Sequence, residues 1–337
     1  MESPLVDHEI VHILASFVGD TQHLFFASVS KGWKTAWGRR PKATNCLTSH
    51  SSVSQLQHCF DCGLPRSMAI CKAASRLGNL PLLQCARANG CPWDEWTCAE
   101  AASGGYLEIL QWARKENCPW SMHICWNAAN GGYLELLRWA RKNGCPWSPL
   151  TCWGAAEGGH LEVLQWARDN GCAWNEHTCS RAAEQGHMMI LQWARANGCP
   201  WDEEACWGAA EGGHLEVLQW ARDNGCPWDE WTCAGAALGG HLAVLQWAWA
   251  NGCPWDEQTC AEAAKGGHLF VLRWIRDRGC PWNELTTWRA AERGHGAVLQ
   301  WARENGCPWD DRTCTAAALG GHLDVLKWAR ANGCPWD

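Results

Sequence analysis

No apolar run in the 337 residues approaches the ~20 needed for a membrane-spanning helix, so no membrane contact is expected. Met1 to Asp7 lack the basic flank of a signal peptide, and secretion is not expected either. Basic charge is not in excess. The 28 Lys and Arg stand against 35 Asp and Glu, a net charge of −7 with the two signs interspersed. That removes the electrostatic footprint of a duplex-binding surface, and nucleic acid is not an expected partner. Absent too are a phosphate-binding Gly-rich loop, a Gly-x-Ser-x-Gly elbow and a recurring Cys-x-x-Cys pair. No catalytic constellation stands apart from the repeated pattern, so an enzyme is not expected and no cofactor is called for. Of the 23 Cys, 19 fall in two repeat columns, and without an export signal they read as reduced thiols of a cytoplasmic protein.

What is present is a period. A Cys-Pro-Trp step, with Ala173 once in place of the Pro, returns every 27 residues from Cys91 to Cys334, ten times without a slip in register. Such a period marks stacked supersecondary units, each too small to bury its own apolar face. Written from the Trp, nine full copies run from Trp93 to Pro335, and a weaker one, Arg66 to Pro92, precedes them. The second position holds only Ser, Asp or Asn, side chains that cap helix N-termini, so a helix A is expected to open at the third position. Glu follows the cap in most copies, and Pro149 stands there in one, as suits a first helical residue. The Trp before the cap is expected to staple onto the Cys of helix A, as Trp93 onto Cys98. Thr97, Cys98, Ala101 and Ala102 and their counterparts cover the packed arc of helix A.

Two glycines end helix A. The second is invariant across the ten copies and is expected at positive φ. Helix B follows with apolar residues over more than half its circumference, as at Leu161, Val163, Leu164, Trp166 and Ala167. A Gly at the 25th position, replaced once by Asn117, fits a left-handed helix terminus, and the Pro two residues later prevents continuation. Each repeat thus reads as helix-turn-helix, and the array as an all-α solenoid. After its last copy Leu323, Val325, Leu326 and Trp328 are expected to be partly uncovered.

With those residues placed, the string T-C-A-E-A-A-x-G-G-H-L-E-V-L-Q-W-A-R-x-N-G-C resembles the ankyrin repeat over about four fifths of the chain. The Ala-Ala pair, Gly-His, Leu-Glu-Val and the closing Gly carry the likeness. The family's Pro-Leu-His after Thr is absent, and the unit is shorter than the usual ~33 residues. The resemblance therefore implies ankyrin-like helix-turn-helix repeats lacking the β-hairpin finger, with a surface that binds other proteins. Pro4 to Val18, followed by Val29-Ser30-Lys31-Gly32-Trp33-Lys34, resembles an F-box, with its Leu-Pro order inverted to Pro4-Leu5. That likeness implies a substrate receptor of a cullin-RING ubiquitin ligase, docked on the ligase adaptor through residues 1–38. The other reading of this segment is a helical cap over the first repeat. The chain accordingly divides into 1–38 as F-box-like or capping segment, 39–65 as a degenerate repeat, and 66–337 as ten repeats.

The recurring Cys and His columns raise a third reading, a metal-binding array. It is disfavoured because non-ligands replace members of each column, as Thr287, Tyr106 and Asn79 do. The His are expected to bond loop backbone at the start of helix B, and the Arg column to lay its stems along a helix with heads in water. The two Cys columns are expected to lie out of reach of one another, without internal disulfides.

Function is expected where the copies disagree, on the outer face of helix A. Trp96, His123, Leu150, His177, Glu204 and Trp231 occupy one variable position of it. Trp126, Trp153, Trp207 and Trp288 occupy the next position round, and Glu157 belongs to the same stripe. Aromatic anchors among mixed polar groups are the composition of a protein-binding surface. The expected partner is a protein or peptide whose identity the sequence does not give.

Overall fold

The computed structural model describes residues 51–335, which form twenty-one α-helices with no strand among them. The chain is an all-α solenoid, each repeat a helix A, a tight turn and a helix B. Helix A runs Met68–Arg76, Glu95–Ser103, His123–Asn130, Pro149–Glu157, Glu176–Glu184, Glu203–Glu211, Glu230–Gly239, Glu257–Lys265, Glu284–Glu292 and Asp311–Leu319. Helix B follows each, from Leu80–Ala88 in the first copy to Leu323–Ala331 in the last. Ahead of them, Val53–Asp61 stops before Gly63 at φ +90° and packs on Leu80–Ala88. The F-box-like segment 1–38 lies outside the described residues.

The chain falls into two compact units, one up to Gly154 and one from Ala155 onward. In the first, helix A of each copy packs on helix A of the next from Met68–Arg76 to His123–Asn130. In the second, the same contact runs from Glu176–Glu184 through Asp311–Leu319. Close approach is possible because the touching side chains are small. In the copy beginning at Trp228, Thr232, Cys233, Ala236 and Ala237 of helix A are fully buried, as is Leu245 of helix B. Each Leu of that kind contributes ~1.5–3 kcal/mol of apolar burial.

The helix boundaries follow from the capping chemistry. Asp202, Asp229, Asp256 and Asn283 each accept a bond from the N–H two residues on, at 2.9 to 3.2 Å. Helix A opens at the third position in nine copies, including the copy with Ser67, whose hydroxyl makes no cap bond; after Ser121 it opens one residue later at His123. The second glycine of the turn has φ between +69° and +81° in every copy, and Asn117 takes φ +56° where the other copies have the closing Gly.

Four columns of the repeat turn out to be cross-links. The pre-cap Trp sets its edge against the Trp of helix B, as Trp93 on Trp112 at 5.6 Å and 65°. In the last copy Trp309 does pack against a cluster holding Cys314, together with Leu326 and Trp328. The Arg heads are tied into the fold, half-buried in most copies and exposed at Arg114 and Arg330. Arg222 lies 4.0 Å over the Trp228 ring and donates to the Cys226 carbonyl, fastening the end of helix B to the next cap. Trp249, the one replacement, stacks on Trp255 at 5.5 Å instead.

The Cys columns do meet, because the chain returns after helix B to the start of its own helix A. Cys253 Sγ donates to the carbonyl of the N-cap Asp229 at 3.3 Å, and Cys233 Sγ lies 3.9 Å from the Cys253 carbonyl. Hydrogen bonding between those two thiols, followed by burial, pushes Cys233 far above the ordinary thiol range. The same pairing joins Cys179 to Cys199, Cys206 to Cys226 and Cys260 to Cys280, and no disulfide forms among the described residues. Where Thr287 replaces the helix A Cys, its hydroxyl donates to the Pro308 carbonyl at 3.0 Å. The His column bonds backbone as expected, but across repeats. His187 Nε2 is 3.1 Å from the Glu157 carbonyl and His295 Nε2 is 3.0 Å from that of Lys265, each the last residue of the preceding helix A.

Candidate protein-binding face

Helix A is held at its N-terminus by the cap, along one side by its neighbours, and, where it ends at Glu157 and Lys265, by the His of the next copy. The remaining side is the variable stripe, and its residues differ in how free they are. In the first unit Trp96 is 45 % exposed and stacks on His123 at 4.7 Å. Trp126, Leu150 and Trp153 are half-buried. Gly154 makes room for Trp126, since a Cβ there would come within 2.6 Å of the Trp126 carbonyl oxygen and 3.0 Å of its ring. The mid-helix glycines thus admit the helix of the preceding copy.

In the second unit His177 Nδ1 is 2.8 Å from the Glu204 carboxylate, a bond across the repeat boundary. Glu157 and Trp288 are half-buried, the latter under the Arg289 guanidinium at 4.6 Å. Trp207 packs toward Gly235, whose missing Cβ would otherwise stand 2.8 Å from the indole. Trp231 is 47 % exposed.

Three of these residues come together. Glu204, Trp207 and Trp231 line one cavity of about 480 Å³ that crosses helix A of three successive repeats, with Glu203, Asp229, Ala234, Gly235, Leu238, Glu262 and Lys265. His177 touches its rim through Glu204. The first-unit residues Trp96, His123 and Trp126, and the more distant Trp288, do not line it. Glu262 is 6 % exposed and is held by Lys265 at 3.1 Å, one turn on in the same helix.

Expectation passed over Glu262, although its column was legible. That position reads Glu100, Asn127, Gly154, Arg181, Gly208, Gly235, Glu262, Arg289 and Ala316, as variable as the positions that were chosen. The polar members bridge to neighbours, as Asn127 Nδ2 donating to the Ala99 carbonyl at 2.9 Å and Arg181 pairing with Glu184 at 2.6 Å.

The face is acidic in the second unit. Burial above all lifts the carboxyls of Asp202, Asp229 and Asp256 above the usual carboxylate range, with neighbouring Glu charges adding to the shift. Burial and then the charge of Glu184 lift Glu211 in the same way. Among the described residues no three His, Cys, Asp or Glu side chains gather as metal ligands. No helix among them is long and apolar enough to cross a membrane. No protein-family model matches this chain, and no curated protein matches it.

Proposed function

We propose that this chain is a protein-interaction scaffold of the short ankyrin kind, without catalytic activity, that binds a protein or peptide along the outer face of helix A in the cytoplasm. One observation supports the reading above the others: residues that vary from copy to copy on three successive helices line a single concave surface, while the columns that hold the repeats together stay nearly constant. A surface under structural constraint alone would vary without converging. Trp207 and Trp231 supply the large, stiff, partly apolar anchors that dominate binding energy at protein interfaces, and the surrounding carboxylates supply orientation.

The test is capture of partners by the full chain and by its Trp207→Ala and Trp231→Ala variants, with hydrogen exchange on the complex. A partner lost from both variants and protecting residues 203–265 supports the reading. A partner retained by both, with protection elsewhere, places the binding face elsewhere. The ligase-receptor alternative rests on residues 1–38, and its mark is a cullin adaptor captured by the full chain and lost when those residues are deleted.

A further inference from the structure

The cavity between helices Glu203–Glu211, Glu230–Gly239 and Glu257–Lys265 holds two indoles without the cation that the chain sets on its pre-cap indoles. Guanidinium groups lie over Trp rings at 4.0 or 4.1 Å in the scaffold, Arg195 on Trp201, Arg222 on Trp228 and Arg276 on Trp282. Among the described residues no cation lies over Trp207 or Trp231, although Trp231 is 47 % exposed. Charge points the same way. Four carboxylates, of Glu203, Glu204, Asp229 and Glu262, line the cavity against the single ammonium of Lys265, which is engaged with Glu262 at 3.1 Å. Glu204 is taken up by His177, which leaves Glu203 and Asp229 without an ionic partner among the described residues.

Burial, offset in part by the bond from the Trp231 N–H, and the charges of Glu230 and Glu203 lift the Asp229 carboxyl. Negative charge is therefore held here at a cost that an incoming cation would lower. The helix N-termini that face these acids carry about half a positive charge each, too little to cancel whole carboxylates. The wall is also partly apolar, with Ala234 and Leu238 placed to cover an aliphatic stem. At about 480 Å³ the cavity falls within the ~300–1,000 Å³ of ordinary ligand sites.

We infer that this cavity takes an arginine side chain from an exposed segment of a partner protein, its guanidinium stacked on Trp231 and hydrogen-bonded to the carboxylates of Glu203 and Asp229. The inference rests on the scaffold reading and adds the chemistry of the partner. Arginine fits better than lysine because its guanidinium is flat, weakly hydrated and forked, so that one face can meet an indole while its edge meets carboxylates. A compact, strongly hydrated ammonium loses more hydration in doing both and has no flat face for the indole.

The test uses the full chain and a short fluorescein-labelled peptide of alternating arginine and leucine, followed by anisotropy at about 0.15 M salt, where long-range attraction is screened. The arginine peptide is expected to bind about tenfold or more tighter than its lysine version. Trp231→Ala, and separately the pair Glu203→Gln with Asp229→Asn, should each weaken it by about tenfold. Asn keeps the helix cap, as Asn283 does in this chain, and helical circular dichroism checks that each variant is folded. Glu108→Gln with Glu135→Gln, exposed on helix B of two other copies, should leave binding unchanged. Equal binding of both peptides, or equal weakening by the helix B pair, overturns the inference in favour of general attraction to an acidic chain. No binding at all overturns it too; if a captured partner is still lost on Trp207→Ala, the scaffold reading stands without it.

Discussion

Gly159 and Gly171 lie in the same repeat with the same φ of +81°, yet substitution by Ala should affect them very differently. A Cβ on Gly171 would meet nothing within 4 Å. On Gly159 it would stand 2.7 Å from Cε1 and 2.9 Å from Nε2 of His187, the ring whose Nε2 is bonded to the Glu157 carbonyl at 3.1 Å. Gly171→Ala therefore isolates the cost of the left-handed backbone, ~1–2 kcal/mol. Gly159→Ala carries that cost as well, plus ~1–3 kcal/mol for displacing a packed ring and ~0.5–1.5 kcal/mol for the lost bond. An excess of at least ~1.5 kcal/mol is expected for Gly159→Ala. Gly171→Asn should be milder than Gly171→Ala, since Asn117 already occupies the equivalent site at φ +56°.

Urea unfolding read by circular dichroism gives the totals. Native-state hydrogen exchange over residues 155–200 is needed beside it, because repeat arrays can open in parts. The decisive comparison is a cycle with His187→Ala. Removing the ring removes what the new Cβ strikes, so in that background Gly159→Ala should cost no more than Gly171→Ala does. If the two Ala variants were equally stable in the parent chain, or if the excess survived His187→Ala, the wedging of the His column into the preceding turn would be refuted.

The lifted carboxyls set a pH dependence. Asp229, Asp202, Asp256 and Glu211 have folded pKa values above their unfolded ones, so their charged forms oppose folding at neutral pH, and the penalty fades as pH falls through the folded values toward the ordinary carboxylate range. Stability should rise for this reason as the pH falls from neutral toward the ordinary carboxylate range, and Asp229→Asn should raise it at neutral pH while shrinking that rise. Arg222→Ala should cost ~1–3 kcal/mol through the lost ring contact and carbonyl bond, and Arg222→Trp less, because Trp249 already stacks on Trp255 at that position. Cys71 and Cys307, pushed up to about 12 chiefly by burial, should resist alkylation at about pH 8 until the protein unfolds, while the partly exposed Cys62 is labelled in the native state. Trp153→Ala and Trp207→Ala should weaken a partner by ~2 kcal/mol or more if they anchor it, yet destabilise the fold less than Leu164→Ala, which empties a fully buried site at ~2–5 kcal/mol; equal destabilisation with unchanged affinity would make them packing residues.

Most of what depends on backbone within one repeat was legible in the chain, because ten copies sample the same constraint; the late start at His123 was not. A column that admits only Ser, Asp and Asn has to be a cap, and a glycine never replaced across ten turns has to sit where a Cβ is strained. The helix limits and the positive-φ residues followed from that comparison. Contacts that close through space did not. Cys233 and Cys253 are twenty positions apart, and only the return of helix B beside helix A brings their thiols together. Trp249 in the Arg column fits a position that packs on an apolar surface, but does not say that the surface is the next Trp.

The same distinction explains how far the candidate site could be found. Variation among copies identified Glu204, Trp207 and Trp231 because each changes while its neighbours do not, and those three share one cavity. It could not rank them against Trp96 or Trp288, which vary as freely, because convergence depends on which residues successive helices present side by side. At Gly235 the chain gives up a side chain so that Trp207 can lean across the repeat boundary; at Glu262 it keeps a carboxylate almost out of water. A buried acid beside an exposed indole is costly to maintain for packing alone. The copy-to-copy differences gathered there are accordingly the ones to change first in seeking the partner.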